Sequence, residues 1–247
     1  NPQRNLYWGD LHIHTSFSTD AYTNGVRAIP DDAYTFAKGG EIEHAAGYGV
    51  RIRRPLDFAA VTDHSEYLGV VRATHPDLPL SRRSLRERLL NDGRLGMTLA
   101  FAQSMLDFRL EDAIAPGWEN ISRDTWREVV ASAERHNDAG RFTTFVGYEW
   151  SSMPGDRNLH RNVIYRGAKV PELPFSSVDS KNPEDLWGAL EQQRLQGMES
   201  LAIPHNGNVS DGLMYDTVRL DGTSMDAEYA RRRMANEPLS EIFQVKG

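Results

Sequence analysis

Short apolar segments rich in β-branched and aromatic residues recur along this chain, and four of them end at or next to a histidine or a carboxylate. Their length and composition predict short buried strands. The predicted strands are residues 6–8, 11–13, 57–62, 142–148, 162–165, 201–203 and 241–245. Because a polar residue at the end of a buried strand adds little to a core, these strand ends constrain both the fold and the position of a site.

Helical patterns separate the predicted strands. They cover residues 31–38, 81–90, 97–110, 124–136 and 183–196, and Pro183 is typical of a first helical position. Strands that alternate with helices predict an α/β fold with a mainly parallel sheet, either open or closed into a barrel. Residues 70–120 contain only helical and irregular patterns, so we interpret them as an insertion into a single domain that spans residues 1–247.

The charge balance excludes some classes of partner. The chain has 28 Lys and Arg against 35 Asp and Glu, for a net charge of −7, whereas nucleic-acid and anionic-membrane surfaces need clustered positive charge. No apolar run reaches the roughly eighteen residues of a membrane span. We therefore expect a soluble protein, cytoplasmic or exported with its leader removed, that acts on a small molecule. Its oligomeric state is not indicated by the sequence.

The first cluster of candidate metal ligands is the stretch from Gly9 to Asp20. Residues i and i+2 of a strand share a face, so His12 and His14 can hold one ion together, and Asp10 on the same face can orient a ligand histidine. The polar loop after this strand ends in Asp20. With no cysteine in the chain, a metal site must use imidazole and carboxylate, a ligand set that suits divalent zinc, manganese or iron.

Three later strands deliver further candidates. The strand at 57–62 runs into Asp63 and His64, of which we assign His64 as a ligand, the strand at 142–148 runs into Glu149, and the strand at 201–203 is followed by His205. His160 lies in the loop after Glu149. Functional groups of parallel α/β folds gather at the carboxyl ends of strands, and a carboxylate can bridge two ions.

Simpler interpretations remain open for these residues. A lone His-x-His pair can be a surface feature, Asp63 can cap a helix, and Glu149 can belong to an ordinary buried salt bridge. We expect three further histidines to face solvent because they fall in helical or irregular polar segments: His44, His75 and His136.

Taken together, these stretches resemble the PHP family, named for its polymerase and histidinol-phosphatase members. Residues 9–15 with Asp20 look like the first PHP motif, residues 61–64 like the second, Glu149 with His160 like the third, and residues 204–205 like the fourth. The segments 8–12 and 241–247 look closest to a large bacterial branch of PHP-like proteins of unknown function.

The resemblance implies a fold and a ligand set. The fold is a distorted (β/α)7 TIM-like barrel, incomplete in this chain, because the family's last motif, an Asp-x-His, would lie beyond the strand at 241–245. Two or three divalent ions are implied. His12 and His14 with Glu149 would hold the first, Glu149 with His160 and His205 the second, and Asp20 with His64 the third. The family usually has a histidine where Asp20 stands.

The function implied by the resemblance is metal-dependent hydrolysis of an anionic small molecule, foremost a phosphate ester, by water that the ions activate. Asp20 or His64 would move protons, and Arg161 would contact the substrate anion, as could the basic run at residues 51–54 if it is not simply a solvated surface. Two alternatives stay open. The chain could hydrolyse an amide, ester or lactone, or it could be a catalytically silent metal-binding module.

Overall fold

A computed structural model describes residues 5–45, 47–76 and 116–243 of the chain. Within these ranges lie seven strands and six α-helices. The strands are β1 (Gly9–Ile13), β2 (Ile42–His44), β3 (Tyr48–Val50), β4 (Phe58–Val61), β5 (Thr143–Trp150), β6 (Arg161–Tyr165) and β7 (Ser200–Pro204). The helices are α1 (Thr19–Thr23), α2 (Pro30–Ala37), α3 (Val70–Thr74), α4 (Trp118–His136), α5 (Pro183–Leu195) and α6 (Ala227–Asn236).

Five strands form one mixed sheet in the order β1-β4-β5-β6-β7. β1, β4 and β5 pair in parallel, whereas β6 is antiparallel to both β5 and β7. The carboxyl ends of β1, β4, β5 and β7 therefore lie at the same edge of the sheet, together with the start of β6. β2 and β3 form a separate antiparallel hairpin.

The predicted (β/α)7 barrel is wrong. A barrel of that type needs parallel neighbours throughout, but β5 connects to β6 through a short loop that reverses the chain direction. In the described part of the chain, β1 and β7 are edge strands with no ladder between them, so the sheet is not closed. The chain is α/β with an open, mixed sheet.

The open sheet is nevertheless strongly curled. In a flat sheet, four interstrand spacings would separate β1 from β7 by about 19 Å. The ring centroid of His12, on β1, is instead 4.2 Å from that of His205, directly after β7. The side-chain amide of Asn162 on β6 also donates to the Leu11 carbonyl on β1, at 3.1 Å across the concave face. The curl brings the polar strand ends together.

The main core lies on the convex face, where α2, α4 and α5 pack against the strands. Alternate residues of β5 point into it, namely Val146, Tyr148 and Trp150, and Trp126 of α4 packs edge-on against Tyr148. The other β5 positions face the concave side, so Phe145 lies there with a small apolar cluster and Glu149 lies at its end.

Most predicted elements in the described ranges match observed ones within a few residues, including β4, β5, β6, β7, α2 and α5, whereas α4 ends as predicted but begins at Trp118 rather than at 124. Residues 6–8 and 241–243 are not strands. The predicted helices at 81–90 and 97–110 lie outside the described residues, as do 244 and 245. The two ends of the predicted insertion at residues 70–120 are described, and both are helical: α3 lies at the first end and the start of α4 at the second. No helix in the described ranges is both long and apolar enough to cross a membrane.

A buried ion pair ties α6 to the sheet. Glu237, one residue beyond α6, accepts hydrogen bonds from Arg161 Nε on β6 at 3.0 Å and from Trp187 Nε1 on α5 at 2.7 Å. The side chains of Arg161 and Glu237 are 3% and 1% exposed. A charge this deeply buried needs its partner.

We predict that Glu237→Gln will lower the free energy of unfolding by about 3–5 kcal/mol, because the amide leaves the buried guanidinium without a counter-charge. The matched control is Glu228→Gln on the same helix, which breaks an exposed pair with Arg231 and should cost no more than about 1 kcal/mol. Denaturant unfolding of both variants measures the difference. Equal small losses would show that the buried pair does not anchor α6.

Candidate metal centre

The polar strand ends meet at one edge of the curled sheet. His12 lies in β1 and His14 directly after it, His64 follows β4, Glu149 is the penultimate residue of β5, and His205 follows β7. His160 directly precedes β6, so it reaches the same edge although its strand runs the opposite way.

Glu149 is the centre of this cluster. Its side chain is 1% exposed, and each of its two oxygens lies close to imidazole nitrogens. Oε2 is 2.7 Å from His14 Nε2 and 3.3 Å from His12 Nε2. Oε1 is 2.6 Å from His160 Nδ1, 3.1 Å from His205 Nε2 and 3.5 Å from His64 Nδ1. One carboxylate thus contacts five histidines.

Asp20 lies on the more open side of the cluster. The first turn of α1 places its carboxylate 3.5 Å from both His14 Nδ1 and His64 Nε2, with the side chain 44% exposed. Asp20 is therefore the most solvent-exposed acidic group of the cluster.

The candidate ligand atoms form four overlapping groups, each with its atoms within 4.8 Å of one another. The groups are His12, His14 and Glu149; His64, Glu149 and His160; His14, Asp20 and His64; and His12, His205 and Glu241. The first matches the set implied for the first ion. The second contains His64 where His205 was expected, and the third adds His14 to the expected pair. Glu241 in the fourth group was not predicted.

Several buried ligand atoms in this cluster have no hydrogen-bond partner among the described residues. They are His14 Nε2, Glu149 Oε2, His160 Nε2 and both ring nitrogens of His205. The 2.7 Å contact between His14 Nε2 and Glu149 Oε2 thus has the distance of a hydrogen bond without its geometry. Unpartnered buried polar atoms are costly. Divalent cations would bind one nitrogen of each imidazole and the carboxylate oxygen, so this donor set fits such ions.

The pKa shifts within the cluster agree with an ionised Glu149 carboxylate at its centre. Burial alone would raise the pKa of Glu149, but the nearby imidazoles of His64, His14 and His12 hold it well below its usual range. Burial lowers the pKa of His12, yet Glu149 and Glu241 outweigh it and raise this pKa to about 8. Burial lowers the pKa of His205 to about 4. An ion that binds His12 therefore displaces a proton below about pH 8.

A second layer of hydrogen bonds positions the backbone at the candidate ligands His12, His14 and His64. The Asp63 carboxylate, 1% exposed, accepts from the Thr15 backbone N–H at 2.5 Å and from Thr15 Oγ1 at 2.6 Å. It thus fixes the loop directly after His14 instead of capping a helix, and burial raises its pKa. Ser18 Oγ accepts from the His64 backbone N–H at 2.9 Å. Asp10 accepts from the His12 backbone N–H at 2.9 Å.

The sequence model of a family described as "protein of unknown function (DUF3604)" matches residues 1–247. The chain belongs to this DUF3604 family. No curated protein matches the sequence. The DUF3604 match assigns neither an activity nor a link to the PHP proteins, so both stay proposals.

Other predicted residues of this DUF3604 chain lie away from the cluster. Arg161 opposes Trp150 in the sheet, so its side chain lies on the convex face with Glu237, whereas Glu149 lies on the concave face. His44 is on the exposed β2–β3 hairpin. His136 is not solvent-exposed as expected, because it contacts Asp31 at 3.2 Å with its side chain 16% exposed.

A cavity of about 200 Å³ adjoins the centre of the DUF3604 chain. Asn206, Tyr215, Glu241 and Phe243 contribute to its lining. Glu241 belongs to both the cavity wall and the fourth ligand group, so the cavity offers room for part of a small molecule beside the histidines.

We predict that Glu149→Gln will impair two ion positions together, because the neutral amide keeps the shape of the carboxylate but loses the charge shared by two ligand groups. Asp20→Asn is the matched control, since Asp20 belongs to one group only. Elemental analysis of both purified variants measures metal equivalents per chain. If Glu149→Gln loses no more metal than Asp20→Asn, Glu149 is not a shared ligand.

Proposed function

We propose that this chain is a metal-dependent hydrolase that cleaves phosphate esters of small molecules at the Glu149 centre. The observation that carries the proposal is that one buried carboxylate contacts five histidines whose ligand atoms are in part unpartnered. An ordinary buried salt bridge does not need five imidazoles. Two or three divalent ions, zinc, manganese or iron, are the cofactors that this donor set suits.

Ions bound here would lower the pKa of a water molecule and offset the charge that develops on phosphoryl oxygens. The chain's own residues hold and orient the reacting groups. Glu149, His160 and His205 form the buried floor of the centre, and His12 and His14 beside it are 21% and 17% exposed. His64 Nε2 and Asp20 Oδ2, 3.5 Å apart on the open side, pass protons between the centre and solvent.

Charge favours an anionic substrate. The ligand groups contain three carboxylates, those of Asp20, Glu149 and Glu241, whereas two or three divalent ions bring more positive charge than these carboxylates remove. A phosphate ester supplies the missing negative charge. We also propose that the DUF3604 chain is related to the PHP proteins, supported by the order of its ligands along the sequence, although its sheet is not a closed barrel.

One observation favours a second candidate, hydrolysis of an amide, ester or lactone. Arg161 was the arginine expected to contact a phosphate, and it is engaged with Glu237 on the other face of the sheet. A neutral carbonyl substrate needs no such arginine.

We predict that the metal-loaded protein turns over a chromogenic phosphate ester, that a chelator abolishes this activity, and that adding back manganese, zinc or iron restores it. His14→Ala should lower kcat/KM by more than about 100-fold. Removing only a residue that hydrogen-bonds to a metal ligand already lowers metal affinity or activity by about 10–100-fold, and removing the ligand itself should cost more. His44→Ala is the control histidine and should have no effect.

The same assay includes a chromogenic carboxylic ester, an anilide and a lactone. Turnover of these without phosphate-ester turnover would contradict the phosphoesterase proposal and support the second candidate. Metal binding without turnover of any substrate would identify a silent metal-binding module.

A further inference from the structure

Glu241 is held beside the centre by its own backbone. Its N–H donates to the Pro204 carbonyl at 2.9 Å, and Pro204 directly precedes the ligand candidate His205. The neighbouring Ser240 hydroxyl lies 2.8 Å from the Tyr215 hydroxyl. The segment is thus anchored at the end of β7, so the position of the Glu241 carboxylate does not depend on a flexible side chain alone.

The Glu241 carboxylate contacts His12 on the side that faces away from Glu149. Its Oε2 is 2.9 Å from His12 Nδ1, while His12 Nε2 lies 3.3 Å from Glu149 Oε2. The two nitrogens of an imidazole point in diverging directions, so one ion cannot bind both. A neutral imidazole also carries one lone pair and one N–H. If Nε2 binds an ion, Nδ1 must carry the proton, and that N–H needs an acceptor.

We propose that Glu241 is a positioning residue that accepts the Nδ1 proton of His12 and so fixes the tautomer whose Nε2 lone pair points at the centre. The inference rests on the proposed metal centre. Carboxylates hydrogen-bonded to a ligand histidine in this way fix its ring orientation and raise its basicity. The His205 ring, 4.2 Å from that of His12, limits rotation of the His12 ring, which leaves tautomer selection to Glu241.

A direct role for Glu241 as a metal ligand is the competing arrangement, because His12, His205 and Glu241 also form a compact group. In that arrangement an ion beside Glu241 would need a lone pair on His12 Nδ1. The neutral ring would then carry its proton on Nε2, and His12 would be lost from the group with His14 and Glu149. The proposed arrangement keeps the contacts that His12 makes on both sides.

The test compares Glu241→Ala and Glu241→Gln with the unchanged protein and with Glu199→Gln, a control at an exposed glutamate paired with Arg166. Zinc affinity is measured by chelator competition, zinc content by elemental analysis, and exchange of the His12 Nδ1 proton by nitrogen-15 NMR of the zinc-loaded protein. We expect Glu241→Ala to weaken zinc binding about 10–100-fold and to speed that exchange. Glu241→Gln, which keeps an acceptor oxygen, should restore part of both, and zinc equivalents should not change.

Three results would overturn the inference. Loss of one zinc equivalent in both variants would make Glu241 a ligand. A zinc-loaded His12 protonated on Nε2 would mean the opposite tautomer. Unchanged affinity and unchanged proton exchange in Glu241→Ala would mean that Glu241 has no role.

His12→Ala, measured in parallel, separates failure of this inference from failure of the metal centre. If His12→Ala also binds zinc normally, the proposed function fails. If His12→Ala loses zinc, only the role proposed for Glu241 fails.

Discussion

The contact between the buried Glu149 carboxylate and the surrounding imidazoles is the interaction on which the rest of the structure depends. A carboxylate at 1% exposure is stable only where positive charge surrounds it. Here five imidazoles from the ends of four strands, β1, β4, β6 and β7, surround it, and the sheet must curl to bring them within reach. The curl and the buried carboxylate are therefore parts of one arrangement.

The same contact links fold stability to ligand binding. His12 and His205 come from the two edge strands of the open sheet, and no ladder joins these strands in the described residues. Ions bound between them would connect the edges where backbone hydrogen bonds do not. Because such ions bind the folded chain, they would also stabilise it by mass action. With ions bound, the open sheet would depend on its site for part of its cohesion.

The position of each candidate ligand relative to the strands could be predicted because it depends on local patterns. Apolar runs locate β4, β5 and β7, and their carboxyl ends locate His64, Glu149 and His205. Strand direction is not a local property, so the antiparallel β6 and the open sheet could not be predicted, and the barrel was wrong. Arg161 was wrongly predicted to contact the substrate because it follows His160, which reaches the centre. Successive side chains of a strand point to opposite faces, so Arg161 points away from the centre.

Glu241 could not be predicted for a different reason. Its contact with His12 joins residues 229 positions apart, and it depends on the curl and on the anchoring of one segment to Pro204. No period or spacing in the sequence carries that information. The grouping of His64 with His160 at Glu149 likewise depends on an isolated parallel bridge between His64 and Glu149, which lies beyond the end of β4.

The account's central claim is that the buried carboxylate of Glu149 is a shared metal ligand. Anomalous X-ray diffraction from crystals of the protein grown with manganese or zinc tests it most directly. The account predicts anomalous peaks beside both Glu149 oxygens, at about 2.0–2.2 Å from the carboxylate and from the neighbouring imidazole nitrogens. Crystals in which no anomalous peak contacts Glu149, or in which its oxygens bond only to protonated histidines at saturating metal, would contradict it.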